Sequence, residues 1–292
     1  HVGHQRTAEP VHDDHQPGRE HSASRAHFPL YGPDATLVGG EAKYYPCLFD
    51  HEFIPQVADL EALVDDRTVA ILYNFPSNPT GGTLNEQQRD DLLAFAAKHD
   101  LWIISDEVYD RIVFETEHVS FMGTGYDKLM VVNSFSKTFA MTGWRIGYIV
   151  STNLEAMKQV VKIQYYISAC SNDAMQYAVL EAMEKANDYP SMMATEFQKR
   201  CKLIVDRLNA MPGVQCHQPK GSIYVFPKVD VPGMSSEDVA LELLKDGVLC
   251  SPGSAFGPSG EGHLRFAYTI GQDDIARGMD KVEATLTRLQ QG

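Results

Sequence analysis

The sequence has no Cys-x-x-Cys pair. Its five cysteines, Cys47, Cys170, Cys201, Cys216 and Cys250, are odd in number and widely spaced, a pattern that argues against both a disulfide framework and a structural zinc site. A reducing, cytoplasmic setting fits that usage. Nor is there an uninterrupted apolar run long enough to span a bilayer or to form the core of a signal peptide at the N-terminus, so no membrane partner is expected. Positive charge is also scarce: 25 Lys and Arg against 39 Asp and Glu give a formal charge of −14. Nucleic acid is therefore not expected as a partner, since phosphate backbones are met by clustered Lys and Arg. A local phosphate pocket remains compatible with the balance.

Residues 1–27 lack Leu, Ile, Met, Phe, Tyr and Trp altogether and hold six of the eleven histidines, His1, His4, His12, His15, His21 and His27. No periodic face in this segment could be buried, and disorder is the expectation. Clustered histidines suggest metal ligation, but no pair here stands at i, i+4 with a carboxylate partner, and no metal site is expected.

What is present fits a large α/β body. The length of 292 residues suits one large or two moderate domains, and 43% hydrophobic content is enough to fill a core. After a turn at Gly39-Gly40 that leads toward a strand, a short helix is expected over Val57 to Leu63. Thr68 to Tyr73 is β-branched and apolar, a buried strand, and runs into Asn74-Phe75-Pro76-Ser77-Asn78-Pro79-Thr80-Gly81-Gly82, where the prolines and glycines end regular structure. Asn85 is placed to cap a helix over Glu86 to Lys98, and Leu101 to Ser105 is a second buried strand. The resulting βαβ unit should be right-handed and its strands parallel, with Asp106-Glu107-Val108-Tyr109 at the carboxyl end of the second strand. Leu129 to Asn133 and Trp144 to Val150 are further strands. Asn153 to about Lys185 should be helical. From about Tyr189 the composition shifts to an α+β pattern: a long helix to Met211, then Gly213-Val214-Gln215-Cys216 and a turn at Pro219–Ser222, strands at Ile223–Phe226, Val248–Ser251 and Leu264–Tyr268, and a helix over Ser236 to Lys245.

Between the third and fourth strands lies Ser134-Phe135-Ser136-Lys137-Thr138-Phe139-Ala140-Met141-Thr142-Gly143-Trp144-Arg145-Ile146-Gly147-Tyr148. It sets one lysine among hydroxylic and apolar neighbours, with an arginine eight positions on. A lysine that forms a Schiff base needs a neutral amine and hence a site that disfavours the ammonium. Ser134 and the fork of Arg145 could hold the phosphate of an aldehyde cofactor. Read singly, the other polar residues have ordinary explanations. Asn78 is a turn former, Asp106 a helix cap, and Arg265 one half of an ion pair within a strand.

Taken together, the lysine stretch, Asn78-Pro79-Thr80-Gly81 and Leu264-Arg265-Phe266-Ala267-Tyr268 resemble the class I/II aminotransferases of fold type I, which depend on pyridoxal 5′-phosphate (PLP). The resemblance covers about residues 28 to 290. It implies a mostly parallel sheet flanked by helices over residues 28–188, the large PLP-binding domain, and a smaller C-terminal α+β domain over 189–292. It assigns Lys137 to the Schiff base and to proton transfer at the substrate α-carbon, Ser134 and Arg145 to the cofactor phosphate, and Asp106 to the protonated ring nitrogen. Tyr109 and Asn78 would meet the ring hydroxyl oxygen, Phe28 would stack on the ring, and Asn78 and Arg265 would bind the substrate carboxylate. An amino acid and a 2-oxo acid are the implied substrates and a homodimer the implied assembly. A PLP-dependent lyase on the same fold, or a cofactor-binding chain left inactive by its altered N-terminus, are the alternatives. Relatives carry before Phe28 a glycine turn into a helix that binds the phosphate; residues 1–27 show none, and a truncated or frame-shifted gene start is the expectation for that segment.

Overall fold

The computed structural model describes residues 29–115 and 117–291. The expectations for residues 1–27 and for Phe28 lie outside the described residues.

The chain opens with α1 (Tyr31–Leu37) and α2 (Val57–Leu63). Between them, where Gly39-Gly40 pointed toward a strand, residues 41–48 form no regular structure; this stretch is pinned by side chains instead, the Tyr45 hydroxyl donating to Leu72 O at 2.7 Å and Lys43 Nζ to Leu63 O at 3.2 Å. There follow β1 (Ala70–Asn74), α3 (Glu86–Lys98), β2 (Trp102–Asp106), β3 (Leu129–Ser134), the single turn α4 (Phe135–Thr138) and β4 (Gly147–Val150). Helix α3 starts where the sequence says it should. Asn85 Oδ1 accepts from the Gln88 amide while the Gln88 side chain accepts from the Asn85 amide, a reciprocal capping box. Leu92, Phe95 and Ala96, spaced three and four apart, are its buried face.

These four strands form one sheet in the order β1-β2-β3-β4. The first three are parallel and β4 is antiparallel to β3. The fourth strand begins at Gly147 rather than Trp144, because Thr142–Trp144 form a 3-10 turn and Arg145 takes the left-handed conformation, φ 57°. A core made of Ile71, Tyr73, Leu92, Phe95, Leu101, Ile103 and Val131 fills the space between sheet and helices, with the Tyr73 and Phe121 rings stacked at 5.3 Å. Each such fully buried aliphatic or aromatic side chain contributes about 1.5–3 kcal/mol of transfer free energy.

The helix expected over Asn153 to Lys185 is two helices, α5 (Leu154–Ser168) and α6 (Asp173–Lys185). Ala169 at φ 57° ends the first, and Asn172, whose side chain accepts from the Met175 amide, starts the second; a local cap overrides the continuous helix-forming composition. The rest comprises α7 (Tyr189–Asn209), β5 (Val214–Gln215), β6 (Tyr224–Val225), β7 (Lys228–Val229), α8 (Ser236–Lys245), β8 (Ser251–Pro252), β9 (Leu264–Ala267) and α9 (Gln272–Gln291). Strand β8 is shorter and later than the Val248–Ser251 expected. Strands β6, β9 and β8 form a second, antiparallel sheet, and β5 pairs with β7. Cys201, Ile204, Val205 and Leu208 of α7 face Ile275, Met279, Val282 and Leu286 of α9 and the strands in a second core. Tyr109 belongs to this core although its strand belongs to the first sheet. The two cores therefore meet where the conspicuous loops lie.

A smaller cluster surrounds His263. Its ring stacks on Phe226 at 5.0 Å, with Phe49 and Phe53 at 5.9 and 5.8 Å. Burial, reinforced by the charge of Lys228, pushes the imidazole below its ordinary value of 6.5. The neutral ring is favoured in the folded chain, so at neutral pH it costs nothing; as pH falls below about 6.5 the unfolded chain takes up a proton the folded chain refuses. Stability should decline in that window and level off below the folded-state pKa. Urea titrations at pH 7.5 and 5 should show a smaller decline for His263→Phe than for the parent.

Candidate active site

Because β1, β2 and β3 are parallel, their carboxyl ends lie side by side, with Asn74 opposite Asp106 and Asp106 opposite Val132. The loops that follow these strands are thereby delivered to one edge, the position at which open α/β sheets bind ligands. After β1 the chain is folded back on itself. Asn74 Nδ2 donates to Asp106 O at 3.1 Å and Asn74 Oδ1 accepts from the Asn78 amide at 2.9 Å, which fixes the loop that carries Asn78. Gly81, at φ 71°, lets that loop touch the second sheet: a Cβ there would stand 2.5 Å from Pro219 Cβ and 2.9 Å from Tyr224 O.

At the end of β2, Asp106 and Glu107 point to different surroundings, as neighbours leaving a strand do. Asp106 Oδ2 accepts from the Tyr31 hydroxyl at 2.6 Å and Oδ1 from the Val108 amide at 3.2 Å. Burial pushes its carboxyl above the usual range and the Glu107 charge adds to the rise; the two hydrogen bonds oppose it without cancelling it. Glu107 is almost fully buried, accepting from Ser105 Oγ at 2.9 Å and the Phe121 amide at 3.1 Å and pairing with His118 Nε2 at 2.8 Å. Burial works to raise this carboxyl, but the bonds from His118, Ser120 and Ser105 prevail and hold it below the usual range. Tyr109 follows in a turn rather than a helix. It is 3% exposed, and burial, with the neighbouring Tyr224 and Asp106, holds its hydroxyl firmly in the protonated form.

After β3, Ser134 caps α4. Its Oγ accepts from the Ser136 amide at 3.1 Å and lies 2.9 Å from both Ser136 Oγ and Ile146 O. Lys137 stands in that single turn, half-buried, with Nζ 5.8 Å from the centroid of the Tyr109 ring. Among the described residues it has no carboxylate partner. Arg145 is exposed; its Nη1 donates to Thr142 O at 3.0 Å, and it too lacks a carboxylate partner among the described residues.

Arg265 comes from β9, on the second sheet. Its Nη1 donates to Asn78 Oδ1 and its Nη2 to Ser251 Oγ, both at 3.0 Å. The guanidinium lies between two rings, Tyr224 at 4.5 Å and Phe256 at 4.8 Å. Its Nε is buried without a hydrogen-bond partner among the described residues. Among the described residues the ion pair that a strand arginine ordinarily makes is not present; its hydrogen-bond partners there are neutral.

The structure thus brings Asp106, Tyr109, Lys137 and Arg265 around one point, Tyr109 being the neighbour common to the other three, and ties Asn78 to Arg265. Ser134 and Arg145 sit on the same lysine loop. Three contributors had no signal in the sequence: Tyr31, which holds Asp106, and Tyr224 and Phe256, which hold Arg265. Each is an aromatic residue that composition assigns to packing, and only the tertiary contact gives it a polar neighbour.

Residues 14–282 match the family model for aminotransferase class I and II. The chain belongs to the class I and II aminotransferase family. Among aminotransferases it is 35% identical over 265 residues to an aspartate aminotransferase of Pyrococcus abyssi, an alignment that covers 89% of this chain and 68% of that one. It is 34% identical, with the same coverage, to aromatic-amino-acid aminotransferase 2 of Thermococcus litoralis. The solved aromatic aminotransferase of Pyrococcus horikoshii superposes with a TM-score of 0.86 at 34% identity, covering 90% of this chain and 72% of that one. As an aminotransferase the chain is an α/β enzyme with a mostly parallel central sheet, as the sequence implied. A lyase on this fold and an inactive chain are not favoured. Among the described residues of this aminotransferase no helix is long and apolar enough to cross a membrane.

Proposed function

We propose that this aminotransferase uses PLP, held at Lys137, to move an amino group from an amino acid to a 2-oxo acid. Three features of the residues fit that cofactor and its substrate. Lys137 and Arg145 have no carboxylate partner among the described residues, leaving one free to meet an aldehyde and the other a phosphate. The carboxyl of Asp106 is pushed up by burial, and a cationic ring nitrogen brought beside it would favour its ionised form. Arg265 keeps a buried, unpartnered Nε, which an arriving carboxylate would satisfy. The last observation carries the reading: a guanidinium between two rings and two neutral partners is a built anion site.

When bound, PLP supplies an aldehyde that condenses with the amine and a pyridine ring that accepts the charge left when the α-proton departs. Ser134 and Arg145 would hold its phosphate. Asp106, fixed by Tyr31, would keep the proton on the ring nitrogen through a charge-assisted hydrogen bond of roughly 1.5–3 kcal/mol. Tyr109, as donor, and Asn78 would hold the ring hydroxyl oxygen. Arg265, braced by Asn78, clamps the substrate carboxylate and so fixes which bond at the α-carbon faces Lys137. Lys137 would be the group that moves the proton at the α-carbon.

The assembly belongs to the same proposal: a homodimer in the cytoplasm. Its support is the set of large apolar side chains left exposed on α5 and α6. Helix α5 buries none of its residues, and Val161, Tyr165, Tyr166, Tyr177 and Leu180 of α5 and α6 are at least half exposed. Borohydride reduction of the protein loaded with PLP, followed by peptide mapping, tests the cofactor reading. The label should fall on Lys137; folded protein with Lys137 unmodified would overturn it.

A further inference from the structure

We propose that Tyr224 is a positioning residue that joins the carboxylate fork of Arg265 to the hydroxyl of Tyr109. The inference rests on the PLP reading of this site and goes further, giving a role to a side chain outside the set that reading uses. Tyr224 stands on β6 opposite Ala267 of β9. Arg265 is two residues from Ala267 on the same face, so the tyrosine and the arginine are diagonal neighbours across the sheet. The ring lies against the guanidinium at 4.5 Å, with Phe256 on the other side at 4.8 Å. A long, flexible side chain is thereby held without using its N–H donors, which stay available to Asn78, Ser251 and a substrate carboxylate.

The other end of Tyr224 makes a second contact. Its hydroxyl is 3.4 Å from that of Tyr109, and the two rings meet edge to face at 6.0 Å. Hydroxyl protons rotate, so the pair can run in either sense. When Tyr109 gives its proton to a ligand, Tyr224 can donate to Tyr109, and a hydroxyl that accepts one hydrogen bond donates a stronger one. The titratable groups facing this pair are Asp106, Lys137, Arg265, Tyr31 and Tyr268. Tyr224→Phe retains every one of these side chains, so the contribution of the Tyr224 hydroxyl can be isolated.

The ring and the hydroxyl are separable by substitution. In the PLP-loaded protein, Tyr224→Phe keeps the stack and removes the donor. The pH midpoint of the bound cofactor's absorbance change should move upward by about half a pH unit, while the dissociation constant of 3-phenylpropionate, a carboxylate that cannot react, stays at the parent value. Tyr224→Leu removes both, and the 3-phenylpropionate dissociation constant should then rise by about tenfold. A parent protein whose Lys137 takes up no PLP overturns both the cofactor reading and this one. If the parent takes it up and the Tyr224→Phe midpoint is unmoved, the role of Tyr224 alone is overturned; the same holds if Tyr224→Leu binds 3-phenylpropionate as Tyr224→Phe does. Should Tyr224→Leu fail to fold, the Tyr224→Phe midpoint decides by itself.

Discussion

Lys137→Ala is expected to lower turnover by about 10⁴-fold or more, since it removes both a covalent attachment point and a proton carrier. It should also abolish the visible absorbance of the bound cofactor. Stability should hardly change. The lysine is half-buried on a single helical turn, and its recorded contact is with the Tyr109 ring at 5.8 Å, so its loss strands no buried charge. Lys137→Arg should fare no better than Ala, because a guanidinium does not give up its proton in this pH range and cannot attack an aldehyde. The measurements are steady-state transamination, the absorbance spectrum and the melting temperature of the same preparations. Retained turnover in Lys137→Ala would sink the assignment, and a large fall in melting temperature would show the loss to be structural.

The second large effect concerns Arg265. Arg265→Ala should lower kcat/KM for an amino acid by roughly 10²–10³-fold, the size expected when one partner of a buried, hydrogen-bonded charge pair is truncated. The loss should depend on the substrate's carboxylate. A primary amine that lacks one gains nothing from the fork, so its slow reaction should be little affected, and the ratio between the two substrates should collapse. Arg265→Lys should recover only part of the preference, because an ammonium cannot present two parallel donors and would not fill the space between Tyr224 and Phe256. Equal losses for both substrates would mean that the arginine supports the fold rather than the carboxylate.

Much of this site could be read from the chain alone because its residues sit at strand ends. Asn78, Asp106 and Ser134 follow or end β1, β2 and β3, and the parallel register sets those ends level. Local rules also placed α2, α3 and α8 at their observed limits; Asn85 and Ser235 form capping boxes for the last two, while α2 starts without a side-chain cap. What escaped was decided by one unannounced local break and by contacts distant in sequence. The break at Ala169 is a positive-φ alanine, which composition does not announce. Tyr31 reaches Asp106 across 75 residues and Tyr224 reaches Tyr109 across 115. Before the fold is known, nothing separates such tyrosines from core aromatics. Strand β4 was read as a strand, but the exposure of its apolar residues was not legible: Tyr148, Ile149 and Val150 are each about 40% exposed.

That strand has a consequence for how the protein behaves in a tube. Among the described residues strand β4 pairs only with β3, so within them its far edge presents backbone donors and acceptors, a template on which other chains can add. Opposing this is the formal charge of −14, which keeps molecules apart over about 10 Å at 0.1 M salt and over only about 3 Å at 1 M. Colloidal behaviour is therefore a contest between an adhesive strip and a screened repulsion, and the ionic strength of the buffer, more than the intrinsic stability of the fold, sets how concentrated a solution of this enzyme can become.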